Sequence, residues 1–369
     1  MNSMKSATPA SKIQPPQATF DAVPARFMAG SAAMAKVLLI SQAAEDPSDN
    51  SFKRGAFTRL QQSAALGSGR HILVDDPAEA DIILFAEIHI WFAYNIRHHP
   101  YYRQYREKIF AFAQDDYLIP MVPGVYPSLQ KRWYSPRRTR AGFYLSILEN
   151  PYAEFDPAPV ARDLLFSFVG STRTWEGRAR LMTIPYPHAQ FVDTAQQAHD
   201  TVVTQEQREI YWKRYADIAR RSQFVLCPRG EGSSSIRLFE MMRMGRAPVI
   251  ISDEWVPPEG PRWDECCIRI AEADLMRIPE ILQARAHEAE AIGLRARQEW
   301  ERWFAPEVVF DTVVDWCLEI KEARRLPEWL AHLMMWPQIF RPYFFRAYLR
   351  FWKNKIERRR KRLAAARGK

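Results

Sequence analysis

The chain has 369 residues, of which 47% are hydrophobic, and this is enough to fill the cores of two globular domains. A disordered or fibrous protein is therefore excluded. The formal net charge is +9, yet residues 341–369 hold twelve Lys and Arg against a single Glu, so the remainder of the chain is close to neutral. The basic character belongs to a C-terminal appendage and not to a nucleic-acid-binding body.

Cysteine spacing and apolar runs exclude further classes of protein. The four cysteines form no C-x-x-C pair and no spaced set of metal ligands, so we expect reduced thiols in a cytosolic protein. No run of about 18 uncharged apolar residues predicts a transmembrane helix. The first 35 residues are rich in Ala, Pro, Ser and Gln, which predicts disorder, and Met1, Met28 and Met34 all remain open as the start.

From Lys36 onward, short apolar runs alternate with helical patterns. Tyr102, Tyr105, Ile109 and Phe112 have the spacing of a helix face. The predicted strands are 37–40, 80–87, 117–122, 164–169, 223–227 and 248–252. The alternation predicts an α/β protein with mostly parallel sheets.

The composition of the chain divides it into four predicted regions. A Pro-rich stretch that ends between Pro151 and Pro159 marks a domain boundary. We therefore expect a disordered segment over 1–35, Rossmann-like domains over 36–155 and 156–305, and C-terminal helices with a basic aromatic tail over 306–369.

The stretch 224–255 predicts an anion site. A strand leads into a loop that contains Arg229, Gly230 and Gly232, and Ser234 or Ser235 then caps a helix that ends before Gly245. Glycine allows a ligand to approach backbone N–H groups, and a helix N-terminus attracts anions. Arg229 in the loop and Arg237 in the helix add the positive charge that suits a nucleoside diphosphate.

Three further groups complete the predicted nucleotide pocket. Glu240 lies one turn after Arg237, where it can accept hydrogen bonds from ribose hydroxyls; a surface ion pair between the two is the alternative. The earlier strand ends in Gly170, Ser171 and Arg173 and precedes a helix with Arg178 and Arg180. This repeated layout predicts a second wall of the pocket, with an ordinary turn as the alternative. Asp253 and Glu254, directly after a strand, are candidates to hold hydroxyls of the same ligand.

Several of these motifs resemble the exostosin family, glycosyltransferase family 47. The motifs are Phe-Val-Gly-Ser (168–171), Cys-Pro-Arg-Gly (227–230), Ser-x-Arg-Leu-Phe-Glu (235–240) and Gly-x-x-Pro-Val-Ile-Ile (245–251), with Asp253 and Trp263. The resemblance implies a GT-B fold of two Rossmann-like domains that face a central cleft, a nucleoside-diphosphate sugar donor, usually UDP-linked, and inversion at the anomeric carbon. It also implies donor contacts at Arg229, Arg237 and Glu240. The sequence departs from the family pattern at 241–242 and 257–260, which leaves the donor sugar open.

The chain contains no D-x-D motif, which favours a leaving-group site without a metal, and we expect no cofactor. The general base should come from the N-terminal domain, near the carboxyl end of a parallel strand. Glu87 and His89 are the first candidates, although His89 can equally be a core or loop histidine.

Residues 336–369 interleave Trp, Phe and Tyr with Arg and Lys. This pattern favours contact with an anionic membrane surface, with nucleic-acid binding or a solvated tail as alternatives. The prediction is a cytoplasmic enzyme on the inner face of the membrane that extends a glycan or a lipid-linked acceptor for surface polysaccharide. A catalytically inactive scaffold that binds carbohydrate or nucleotide is the alternative.

Overall fold

The computed structural model describes residues 34–43, 54–87, 95–116, 119–145, 150–158, 160–195 and 204–340, and the single positions 345, 349, 353 and 356. These residues all belong to one compact unit. His89, the predicted disordered segment up to residue 33 and most of the basic tail lie outside the described residues.

Within the described residues, the first sheet has six parallel strands in the order β2-β1-β3-β4-β5-β6. The strands are β1 Lys36–Ile40, β2 Ile72–Leu73, β3 Ile82–Glu87, β4 Ile109–Ala113, β5 Gly124–Tyr126 and β6 Thr139–Ala141. The strand order reverses between β1 and β3, and Glu87 is the last residue of β3. A crevice at such a reversal is where open parallel sheets bind ligands.

The second sheet has, in the part of the chain that the structure describes, five parallel strands in the order β11-β10-β9-β7-β8. The strands are β7 Leu164–Gly170, β8 Ala189–Asp193, β9 Ser222–Pro228, β10 Ala247–Ile251 and β11 Ile268–Ile270. Its order repeats that of the first five strands of the first sheet, with the reversal between β7 and β9. Two Rossmann-like halves of the same topology confirm the predicted α/β fold of the GT-B type.

Helices pack on both sheets, and the apolar residues that they bury join those of the strands in two hydrophobic cores. They are α1 Gly55–Leu66, α2 Pro100–Tyr105, α3 Glu176–Leu181, α4 Gln205–Arg221, α5 Ile236–Arg243, α6 Trp263–Cys266, α7 Ile278–Ala284, α8 Ala289–Trp303, α9 Val309–Ala323 and α10 Glu328–Met335. Helix α5 ends as predicted: Gly245 takes a left-handed φ of 65°, and the Arg246 N–H donates to Met241 O at 2.9 Å. Among the described residues, no helix combines the length and the apolar character needed to span a bilayer.

Two predicted elements were wrong. The helical spacing over 102–112 covers two elements, because α2 ends at Tyr105 and 109–113 forms the fully buried strand β4. Within the strand predicted at 117–122, residues 119–122 are not in a strand and residues 117 and 118 lie outside the described residues. The strand β5 lies at 124–126, since Pro120 and Pro123 have no N–H to give to a ladder. Gly124 begins that strand with a φ of 154°, and a Cβ there would overlap the backbone of Ala111.

Helix α9 returns from the second half to pack on the first sheet and on α1. His71 Nε2 lies 3.0 Å from Asp315 Oδ1, and Arg70 forms an ion pair with the same carboxylate at 2.5 Å. Arg140 of β6 donates to Glu319 at 3.2 Å. The region 306–369 thus includes part of the covering of the first sheet, while the boundary between residues 155 and 156 stays a prediction.

Candidate functional site

The carboxyl ends of β7 and β9 form the reversal point of the second sheet. Strand β7 ends at Gly170 and β9 ends at Pro228, and the loops that follow lead into α3 and α5. The loops after β7 and β9 are therefore adjacent, and they are the two loops that the sequence predicts to form one pocket.

Arg178 of α3 joins the two loops. Its side chain is buried, and its guanidinium donates to Ser171 O at 3.1 Å in one loop and to Pro228 O at 3.0 Å and Arg229 O at 2.8 Å in the other. Burial and the neighbouring Arg237 lower the pKa of Arg178 to about 9. Sequence reasoning did not assign Arg178 to the site, although the basic helix after the first glycine loop was a usable signal.

Arg237 of α5 reaches back to the end of β7. Its Nη2 donates to Val169 O, and its guanidinium carbon lies 4.8 Å from the centre of the Phe168 ring. A Cβ at Gly170 would stand 2.6 Å from Nη2, so glycine is needed there to admit the guanidinium. The structure thus brings the predicted residues Gly170 and Arg237 into direct contact.

The charges of Arg178 and Arg237 are not neutralised by their hydrogen bonds. Every hydrogen bond that these two groups make with described residues goes to a backbone carbonyl. Beside them, Ser234 Oγ is buried and has no hydrogen-bond partner among the described residues. Two positive charges and a free hydroxyl at a helix N-terminus favour an anionic ligand.

The loop of β9 is held in a compact shape by Arg229. Its guanidinium donates to Gly232 O at 3.3 Å and to Glu231 O at 3.2 Å, and Nη1 lies 3.9 Å from Glu272 Oε1. The Gly230 N–H donates to Ser234 O at 3.2 Å. Arg229 is partly exposed at the rim, so it lies where a ligand can also reach it.

Ser235 occupies the N-cap of α5, but its side chain makes no capping hydrogen bond. Ser171 Oγ accepts the N–H of Arg173 at 3.3 Å, and the Arg173 side chain is exposed. Asp253 forms a reciprocal pair with Glu272, in which each backbone N–H lies 3.1 Å from the carboxylate of the other residue. The donor contacts predicted for Ser171, Arg173, Ser235 and Asp253 stay predictions.

Glu240 points towards α4. Its Oε2 accepts a hydrogen bond of 2.5 Å from the hydroxyl of Tyr215, which is buried. Burial raises the pKa of Tyr215 well above its usual value, so the phenol keeps the proton that it donates. Sequence reasoning missed Tyr215 because it lies on a helix 25 residues earlier and carries no motif.

A cavity of about 520 Å³ borders this helix face. Its walls include Tyr144, Phe239, Glu240, Trp300 and Phe304. The volume lies within the range of small-molecule sites.

Glu87 lies at the reversal point of the first sheet. It is fully buried, and one carboxylate oxygen accepts the N–H of Gln42 at 2.6 Å. Burial raises its pKa to about 7, which would suit a general base at neutral pH. Its role stays a prediction, and that of His89 falls outside the described residues.

A second polar cluster on the first half touches the β9 loop. Asp116 Oδ1 accepts hydrogen bonds of 2.7 Å from both Ser128 Oγ and Tyr144 OH. The two hydroxyl oxygens are 2.5 Å apart. A Cβ at Gly232 would overlap Ser128 Oγ and stand 2.6 Å from Asp116 Oδ1. Sequence reasoning missed this cluster because its members come from three separate loops.

In the part of the chain that the structure describes, no three His, Cys, Asp or Glu side chains are grouped so that they could hold a metal ion.

Comparison with known proteins finds a family domain in the middle of the chain. Residues 103–285 match the family model described as the Exostosin GT47 domain. The chain is 40% identical over 72 residues to the Exostosin-1 homolog of Caenorhabditis elegans, which is 19% of each chain. It is 30% identical over 118 residues to Exostosin-1 of Drosophila melanogaster, which is 31% of this chain and 16% of that protein. The matches thus span less than a fifth of the length of these relatives.

Among solved structures, the crystal structure of Anabaena Alr3699/HepE in complex with UDP has a TM-score of 0.35 at 11% identity, over 78% of this chain and 99% of that chain. A likeness of that size supports no conclusion about this chain. The family match is independent of it and includes both arginine loops, α5 and the Asp116 cluster. Residues 103–285 of the chain are therefore an exostosin GT47 domain.

Proposed function

We propose that the chain transfers a sugar from a nucleoside-diphosphate donor, with UDP as the nucleotide, to a hydroxyl of a glycan or a lipid-linked acceptor. The observation that carries the proposal is the pair Arg178 and Arg237. Their guanidinium groups make hydrogen bonds only to backbone carbonyls among the described residues, and the Ser234 hydroxyl beside them has no partner among those residues. Each guanidinium can bond two oxygens of a diphosphate.

Sugar transfer leaves negative charge on the departing nucleoside diphosphate. Fixed positive groups at that position stabilise the transition state more than the ground state, because the charge develops as the bond breaks. Glu240, held by Tyr215, faces the 520 Å³ cavity, which has room for a nucleoside. Its carboxylate would accept hydrogen bonds from the ribose hydroxyls.

The acceptor is proposed from the C-terminal residues. Residues 336–369 carry the aromatic and basic side chains of a segment that lies on an anionic bilayer. A lipid-linked acceptor on the inner face of the membrane would then be brought to the cleft. Removal of 341–369 should abolish vesicle binding and keep sugar transfer to a soluble acceptor. If the removal instead abolishes binding to RNA or DNA, this assignment is contradicted.

Nucleotide binding is the direct test. We expect calorimetry to show binding of UDP, and weaker or no binding of GDP and dTDP. Arg237→Met should weaken UDP binding by about 10-fold to 150-fold, the equivalent of one charged hydrogen bond. Arg180→Met is the matched control, because Arg180 is exposed on the same helix as Arg178 and should leave the affinity unchanged.

Two further measurements separate the parts of the proposal. Glu240→Gln should weaken binding of UDP more than that of its dideoxyribose analogue, since only UDP offers hydroxyls to the carboxylate. Stabilisation by GDP or dTDP alone would overturn the UDP assignment. Binding of UDP with no transfer or hydrolysis of any UDP-sugar would favour the inactive scaffold.

A further inference from the structure

Three loops of the first sheet bring Asp116, Ser128 and Tyr144 together at its carboxyl edge. Asp116 follows β4, Ser128 follows β5 and Tyr144 follows β6, and these strands are neighbours in the sheet. The carboxyl edge of a parallel sheet is the side on which ligands bind. The cluster therefore faces the side of the first half from which an acceptor would approach.

The cluster also lies against the proposed donor loop. Gly232 packs so closely on Ser128 and Asp116 that no side chain fits at position 232. Ser233 Oγ next to it donates to Leu129 O at 3.0 Å, which fixes this loop on the first half. Burial and Arg237 lower the pKa of Arg178, and the nearby carboxylate of Asp116 acts in the opposite direction and raises it. Asp116 is thus close to both the acceptor side and the diphosphate side.

The two oxygens of Asp116 have different surroundings. Oδ1 accepts from both hydroxyls of the cluster, whereas Oδ2 has no hydrogen-bond partner among the described residues. Burial and the neighbouring Asp116 raise the pKa of Tyr144, so its phenol keeps the proton that it donates. The carboxylate is half-buried and not sealed in the core, in contrast to Glu87, whose side chain has no exposed surface.

We infer that Asp116 is the general base of the reaction, with Ser128 and Tyr144 as the residues that orient it. This inference rests on the proposed function. Oδ2 takes the proton of the acceptor hydroxyl while that oxygen bonds to the anomeric carbon. The bond from the anomeric carbon to the β-phosphate oxygen breaks, and its electron pair leaves with the nucleoside diphosphate. The carboxylic acid then returns the proton to water.

The test uses Asp116→Asn in the full chain, because the amide oxygen can still accept from both hydroxyls. We expect kcat for sugar transfer to fall by about 10²-fold to 10⁴-fold, the usual contribution of a general base. The dissociation constant for UDP should stay within about twofold of the wild-type value. Asp115→Asn, which removes the same charge from the adjacent residue, is the matched control and should keep most of the activity.

The pH profile separates a base from a structural residue. The wild-type rate should fall on the acid side of its pH profile, and this acid limb should be absent from the residual rate of Asp116→Asn. Asp116→Glu should restore the limb together with part of the rate. Tyr144→Phe removes one orienting hydrogen bond and should lower kcat by about tenfold with the limb kept.

Measurements on the wild-type chain test the proposed function, and measurements on Asp116→Asn test the role of Asp116. If the wild-type chain neither binds UDP nor transfers sugar, the proposed function fails. If the wild-type chain transfers sugar and Asp116→Asn keeps kcat within about threefold, the inference is overturned. A parallel loss of UDP binding in Asp116→Asn also overturns it, because Asp116 would then act on the donor. Loss of the acid limb in Glu87→Gln instead would assign the base to Glu87.

Discussion

Arg178→Lys tests whether one guanidinium holds the two proposed donor loops together. The ammonium group keeps the charge, but it is a single point and cannot span three carbonyls in two loops. Hydrogen bonds to charged groups contribute about 1.5–3 kcal/mol each, so losing two of the three should cost about 3–6 kcal/mol in the free energy of unfolding. An unfolding entropy of about 2.1 cal/mol/K per residue corresponds to about 1.3 °C per kcal/mol for a chain of this length, so the midpoint of thermal unfolding should fall by about 4–8 °C.

The assay compares Arg178→Lys with Arg180→Lys, which lies on the exposed side of the same helix. Urea unfolding gives the free energy, and calorimetry gives the UDP affinity, which should fall at least about tenfold in Arg178→Lys because the loops separate. Arg180→Lys should match the wild-type chain in both measurements. A change of less than about 0.5 kcal/mol in Arg178→Lys would refute the role of Arg178 as the link between the loops.

Three further changes probe the site. Because burial raises the pKa of Glu87 from 4.5 to about 7, the folded state holds this proton more tightly, and stability should fall as pH rises from about 4.5 through 7. Glu87→Gln should remove up to roughly 3 kcal/mol of that dependence, measured by urea unfolding at pH 5 and pH 8. Gly170→Ala should displace the Arg237 guanidinium, weaken UDP binding at least about tenfold and cost about 1–3 kcal/mol. Tyr215→Phe should free Glu240 and weaken UDP binding by about threefold to tenfold, with the pyrophosphate affinity unchanged.

Three results would contradict these expectations for Glu87, Gly170 and Tyr215. Identical pH dependence in Glu87→Gln and the wild-type chain would show that Glu87 does not titrate as described. Unchanged UDP affinity in Gly170→Ala would mean that Arg237 does not meet the diphosphate. An equal loss of UDP and pyrophosphate binding in Tyr215→Phe would assign Tyr215 to the phosphate end of the ligand.

The sequence predicted the second half well because its signals are local. A strand, a glycine loop and a helix follow one another within thirty residues at Phe224–Asp253, so their contacts follow from chain order. Gly245 closes α5 as predicted, since only a few residue types adopt its backbone conformation. The meeting of Gly170 with Arg237 was also foreseeable, because β7 and β9 are adjacent in a sheet of this topology.

The first half was predicted less well because its contacts are distant in sequence. The run 109–113 reads as a helix face or as a buried strand, and only the neighbouring strands decide between the two. Asp116, Ser128 and Tyr144 lie in three loops with no shared motif, so their hydrogen bonds depend on the register of β4, β5 and β6. No spacing rule brings such residues together before the sheet is known.

Helix α9 has a consequence for how the protein is made. The first sheet emerges from the ribosome long before Val309–Ala323, the helix that covers part of it. Until that helix arrives, apolar strand residues of the first half remain open to chaperones and to aggregation. A chain that ends before residue 309 should therefore fail to fold its first half, although every strand of that half is present. We expect the two halves to fold as one unit only after α9 has been synthesised.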